Sequence, residues 1–159
     1  MNSKTLRSLS LGAIALSRQF GVRITVEQLE KKISQGQIKS EKELKNTLKE
    51  QGVKVQRLKP SLKTLIDRSY YFPCVALMRD GTARILISCK SNMKNVVEFQ
   101  SIDPLDPTSK INVENEAEFK RNWVGSVYLI SSETGIASQD RIFDWTWFIP
   151  ELYLSLIHI

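Results

Sequence analysis

The feature that most restricts the fold is an Asp-Gly pair, Asp80-Gly81, set between two apolar runs. Phe72-Pro73-Cys74-Val75-Ala76-Leu77-Met78-Arg79 precedes it and Thr82-Ala83-Arg84-Ile85-Leu86-Ile87-Ser88-Cys89 follows. Asp-Gly between such runs is the preferred sequence of a two-residue β-hairpin, because both turn positions need φ > 0. Both runs are apolar on both faces, so they predict central strands covered on two sides. In that register Cys74 faces Ile87, and Cys74 and Cys89 become diagonal neighbours ~7–8 Å apart, placed there for core packing.

The rest of the chain arranges itself around this hairpin. Leu6, Leu9, Ala13, Leu16 and Phe20 form a helical stripe that Gly21 ends. Thr25-Val26-Glu27-Gln28 is a capping box for a short helix to about Ile33, which Gly36 breaks. Ser40-Glu41-Lys42-Glu43 opens a third, charged helix that turns Leu44 and Leu48 inward and stops at Gly52. From Val53 to Leu58 the period changes to two, a strand with one wet face. A helical turn follows Pro60-Ser61, and beyond the hairpin Val96 to Phe99 is a further strand leading to Asp103-Pro104. Asn115 caps another helix, ending near Trp123 and Gly125, and Ser126 to Ile130 is the last strand. Three helices followed by an antiparallel sheet with inserted helices is an α+β domain, with the helices expected on one side of the sheet.

A domain over residues 1–131 is therefore expected, then a polar linker over 132–142. Residues 143–159 form an aromatic segment, in which Phe143, Trp145, Trp147 and Phe148 fall within six residues just before Pro150. Dense tryptophan beside an apolar run is what a membrane–water interface selects, since an indole is apolar in body with a donor at its edge. Trp145, Trp147 and Phe148 are the candidate interface residues. The alternative is a C-terminal helix that folds its aromatics back into the core. The apolar tail is shorter than the ~20 residues a bilayer requires, so a transmembrane domain would lie beyond this sequence.

The net charge of +6 is uneven: residues 1–60 carry 13 Lys/Arg against 5 Asp/Glu, and residues 61–159 carry 10 against 12. A basic half suits an acidic polypeptide or an anionic membrane surface, or is an ordinary solvated face. No zinc finger, aromatic-basic signature or arginine cluster points to nucleic acid. Two cysteines make no disulfide framework and no secretion signal opens the chain, which places the domain on the reducing, cytoplasmic side. One histidine and two strand cysteines supply no metal-ligand cluster, and no glycine-rich phosphate loop is present, so neither metal nor cofactor is expected. Thiol chemistry needs a base beside the cysteine. The sole histidine, His158, lies in the tail.

The order helix, Asp-Gly hairpin, strand-Asp-Pro, helix, strand carries a resemblance, with Glu118-Phe119, Trp123-Val124-Gly125 and Phe143 to Pro150 as its sharpest points. The chain resembles the N-terminal domain of type I secretion ABC transporters of the haemolysin and RTX-adhesin class. That domain is related to the papain-like cysteine peptidases that head bacteriocin exporters. In those peptidases the nucleophilic Cys opens the first helix in Cys-Gly-x-Ala. The His begins the strand after the hairpin, and the Asp sits in an Asp-Pro after the next strand. On that pattern Ser8, followed by Leu9 rather than Gly, takes the Cys position. Ala83 takes the His position, and Asp103 retains the Asp, which an Asp-Pro turn also explains locally.

The resemblance implies a papain-like α+β fold without catalysis, the ATPase of the whole transporter lying outside this chain. It implies a domain that binds an unfolded RTX-type secretion substrate at the cytoplasmic face of the bacterial inner membrane. The rest of the transporter and its membrane-fusion protein would be further partners. The substrate would lie in the groove between helices and sheet, around Ser8, Leu9, Leu77, Ala83 and Trp123. The rival expectations are a working leader peptidase with a non-standard nucleophile, and a structural domain that only packs on the transporter.

Overall fold

The computed structural model describes residues 3–132, apart from 21–24, 69–70, 92, 107 and 109. Residues 133–142 of the expected linker, the aromatic segment with Trp145, Trp147 and Phe148, and His158 lie outside the described residues. Helix α1 is Ser3–Ser17, continued by a 3-10 turn, Arg18–Phe20. Helices α2 (Val26–Ser34) and α3 (Glu41–Glu50) begin at the anticipated caps. The Thr25 hydroxyl accepts from Gln28 N and the Gln28 side chain accepts from Thr25 N, so both halves of that capping box form. Strand β1 (Val53–Leu58), helix α4 (Leu62–Asp67), strands β2 (Cys74–Met78), β3 (Ala83–Ser91), β4 (Val97–Ile102) and β5 (Ile111–Asn115), helix α5 (Glu116–Asn122) and strand β6 (Trp123–Ser132) complete the order.

The six strands form one antiparallel sheet in the order β1-β6-β2-β3-β4-β5. The hairpin is central, as its two-faced apolarity requires. Each face of the sheet has its own core. On one, Val75, Ala83, Ile85, Ile87, Tyr128 and Ile130 meet Leu9, Ala13, Ile14 and Leu16 of α1, with Leu29, Leu44 and Leu48 behind. Helix α1 approaches so closely that a Cβ on Gly12 would come within 3.3 Å of Val75 Cγ2. On the other face, Cys74, Ala76, Met78, Leu86 and Val127 pack against Leu65 of α4 and Phe119 of α5. Phe99, Phe119 and Trp123 stack there, with ring centroids 4.0 Å and 5.4 Å apart along the series. Helices therefore cover both faces, not one, because the strands are apolar on both.

The hairpin turn also differs from the two-residue expectation. Leu77 faces Ala83 and Cys74 faces Leu86. Gly81 N donates to Met78 O, and only Gly81, at φ 88°, takes the left-handed conformation. This is the three-residue loop in which a type I turn ends on a left-handed glycine. The slip of one residue means that Cys74 does not face Ile87, and both thiols are free. Strand β5 was not anticipated, and β6 starts at Trp123 rather than Ser126.

Candidate functional site

Ser8 and Ala83 meet, although 75 residues separate them. The first turn of α1 rests against the tip of the hairpin, where Thr5 Oγ1 donates to Gly81 O at 2.6 Å. Three residues on, Ser8 Oγ accepts from Ala83 N at 2.8 Å and donates to Thr5 O at 3.1 Å. Ala83 opens β3 two residues beyond the last β3–β4 partners, Ile85 and Ile102, and Ser8 supplies its amide with an acceptor. Asp103 follows β4 at this same end of the sheet. Its Oδ1 accepts from Leu105 N at 2.9 Å, closing a local turn, with no bond to Ser8 or Ala83.

Ser8, Leu9 and Ala83 are each 0% exposed, so they lie beneath the surface here rather than lining an open groove. Trp123 belongs to the opposite face, stacked on Phe119 and donating from Nε1 to Ser126 O at 3.0 Å. Leu77 is the anticipated groove residue that borders open space. It lines a cavity of about 530 Å³ between the helical lobe and the sheet. Met78, Gly81 and Val124 share that floor with it, and Thr5 of α1 borders one side. Val124 reaches the cavity because β6 bulges against β2 between Val127 and Trp123, with Gly125 at φ 107°.

The opposite wall is polar: Ser40, Glu41 and Lys42 at the start of α3, and Arg57 of β1. Glu41 organises it. Its Oε2 accepts from Tyr128 Oη at 3.0 Å and from Arg57 Nη1 at 3.2 Å, and its Oε1 lies 3.1 Å from Lys45 Nζ. Burial opposes the charge on Glu41. The hydrogen bonds from Lys45 and Tyr128 and the cations Lys45 and Arg57 outweigh it, holding the carboxyl below its usual range. Burial first, then the Glu41 charge, pushes the Tyr128 hydroxyl up. Arg57 also lies over the Tyr128 ring at 5.8 Å and donates to Ser126 Oγ. Sequence reasoning missed Glu41, Arg57, Met78 and Val124. Gly125, at the end of an expected helix, was the one local sign of the bulge.

Burial drives the Cys74 thiol far up, and burial aided by Glu116 raises Cys89 to about 11, so neither cysteine is a thiolate at neutral pH. Among the described residues there is no histidine, and no group of three His, Cys, Asp or Glu side chains that could hold a metal. No helix among them is long and apolar enough to cross a membrane.

Residues 6–135 match the model of the peptidase C39 family. The chain belongs to that family. The C39 fold is also seen in solved neighbours. The N-terminal peptidase C39-like domain of the toxin secretion ATP-binding protein from Vibrio parahaemolyticus aligns with a TM-score of 0.58 at 18% identity, over 83% of this chain and 98% of that one. The peptidase domain of Streptococcus ComA, a bi-functional ABC transporter in a quorum-sensing pathway, aligns at 0.60 and 17%, over 80% and 93%. A double-glycine-motif protease from an AMS/PCAT transporter, solved with its leader peptide, aligns at 0.57 and 16%, over 77% and 84%. No curated protein matches the chain by sequence at a significant level. The α+β, peptidase-like fold and the kinship with ABC-transporter peptidase domains stand as expected. The expectation that this is no enzyme is corrected: the chain is a member of a peptidase family, and two of those neighbours are described as a protease and a peptidase domain.

Proposed function

We propose that this C39 domain engages the exported polypeptide of an RTX-type type I ABC exporter, holding an unfolded stretch of it at the cytoplasmic face of the inner membrane. The observation that carries the reading is the open cavity beside the Ser8–Ala83 contact. Its floor of Leu77, Met78 and Val124 suits apolar side chains, and its wall of Glu41, Lys42 and Arg57 suits polar ones. An unfolded chain offers both kinds of group, and a folded one hides the first. Residues 132–142 would link the domain to the aromatic segment at 143–159, with Trp145, Trp147 and Phe148 at the membrane interface and the membrane-fusion protein among the assembly's partners. The test compares labelled RTX protein, unfolded or Ca²⁺-folded, for binding to the chain and to Leu77→Asp. The unfolded form should bind and Leu77→Asp should weaken it about tenfold; equal binding of both forms defeats the proposal.

Family membership supports a second reading, hydrolysis of the held polypeptide with Ser8 at the nucleophile position. Ser8 is locked between Thr5 O and Ala83 N, so attack would require the first turn of α1 to turn its hydroxyl out. Mass spectrometry of the same mixtures tests it: cleavage that Ser8→Ala abolishes establishes this reading, and intact substrate rejects it.

A further inference from the structure

Val75 lies level with Tyr128 of β6 and with Ile85 of β3, which in turn is level with Ile102 of β4. From that row β6 runs four residues farther, to Ser132, whereas β3 runs six, to Ser91, before it turns. The β3–β4 hairpin therefore passes the end of β6, at the end of the sheet opposite Gly81 and the Ser8–Ala83 contact. Every described residue of its tip from Lys90 to Val96 is exposed. Met93 is fully so, and Val96 is the second large apolar side chain left open there. The charges of the tip are mixed, with Lys90 facing Glu98 across the ladder, so net charge selects no partner and the apolar pair is what the tip offers. What covers that pair follows from where the chain goes. Ser132 leaves the sheet at this same end, and after ten more residues comes the segment whose Trp145, Trp147 and Phe148 the proposed function sets at the membrane interface. Ten residues reach ~36 Å at most, so this end of the sheet is the one tethered nearest the bilayer. Tethering raises the effective concentration of even a small apolar contact. We propose that the β3–β4 tip dips into the interfacial layer of the lipid bilayer, burying Met93 and Val96 at the boundary of headgroups and acyl chains. The contact orients the domain, with the Gly81 end of the sheet and its cavity turned away from the membrane.

The inference rests on the reading of residues 143–159 as a membrane-interface segment, and two readouts separate them. The full chain carries an environment-sensitive nitrobenzoxadiazole label on Met93→Cys, or on Arg79→Cys in the turn at the opposite end of the sheet. Wild type treated alike is the blank, since Cys74 and Cys89 are free thiols. The probe is vesicles of phosphatidylethanolamine and phosphatidylglycerol, with lipids spin-labelled in the upper acyl chain as quencher, and co-sedimentation reports attachment. The Met93→Cys label should shift to the blue and be quenched, and the Arg79→Cys label should do neither. In the unlabelled chain Met93→Asp/Val96→Asp should weaken co-sedimentation about tenfold. If the chain sediments with vesicles while the Met93→Cys label stays in water, the tip assignment is overturned and the aromatic segment stands. Unchanged sedimentation of the double-Asp variant overturns it likewise, and equal shifts at both labels overturn the orientation. A chain that does not sediment at all fails the interface reading and takes the tip with it.

Discussion

Replacing Ser8 by alanine takes away the acceptor of the Ala83 amide, and Ser10 provides a matched control two residues along the same helix. Both serines are fully buried. Ser10 Oγ only donates back to Leu6 O at 2.6 Å, a local bond within the helix. Ser8 Oγ accepts a bond from β3 as well. A buried N–H left without a partner costs ~1–3 kcal/mol. Alanine returns ~0.5 kcal/mol of helix propensity at either position. Ser8→Ala should therefore destabilise the domain by ~1–2 kcal/mol, and Ser10→Ala should fall within ~0.5 kcal/mol of the wild type. For a domain of this size the first corresponds to a drop of roughly 4–8 °C in Tm. Parallel thermal and urea unfolding measures the difference, and hydrogen exchange at the Ala83 amide should quicken in Ser8→Ala alone. If the two variants melt together and Ala83 stays protected in both, the link from α1 to the hairpin is not what holds this end of the sheet.

Phe119→Ala should cost ~3–5 kcal/mol, read as a lower urea midpoint, since Phe119 stands between Phe99 and Trp123 in a closed stack. The Glu41 carboxyl titrates below its ordinary 4.5, so its contribution to stability is complete above that pH and is lost as pH falls through the lower folded value. Glu41→Gln should be less stable than wild type at pH 7, with the gap closing below about pH 4.5 in acid unfolding curves. With Cys89 near 11, only ~0.1% is thiolate at pH 8. A thiol reagent should thus label the native protein slowly and label both cysteines at once after urea is added.

The elements whose inner faces are apolar were legible in the sequence, and the failures share one cause. Strand β5 reverses the usual pattern: Ile111 and Val113 are exposed, and Glu114 is the buried residue, bonded to Arg84 and Asn122. No periodicity rule finds such a strand, because its inward group is satisfied by partners distant in sequence. The Asp-Gly turn was visible but its length was not, since the dipeptide serves two loop types. Tertiary bonds hold the longer one, from Thr5 to Gly81 and from Arg79 N to Asn122 O. The meeting of Ser8 with Ala83 was expected only through the resemblance to the cysteine peptidases, since neither periodicity nor spacing pairs the two residues. The cavity wall was not legible, because Glu41, Arg57 and Val124 converge from α3, β1 and a bulge in β6.

The place of β6 in the sheet sets an order on how the chain can assemble. Among the described residues the last strand to leave the ribosome lies between the first strand and the central hairpin, and β1 has no other neighbour in the sheet. During synthesis the lysine-bearing N-terminal portion must wait, its strand unzipped, until residues 123–132 emerge and close the gap. A nascent chain stalled before Trp123 would expose both apolar margins at once, and in that interval a chaperone would find most to hold.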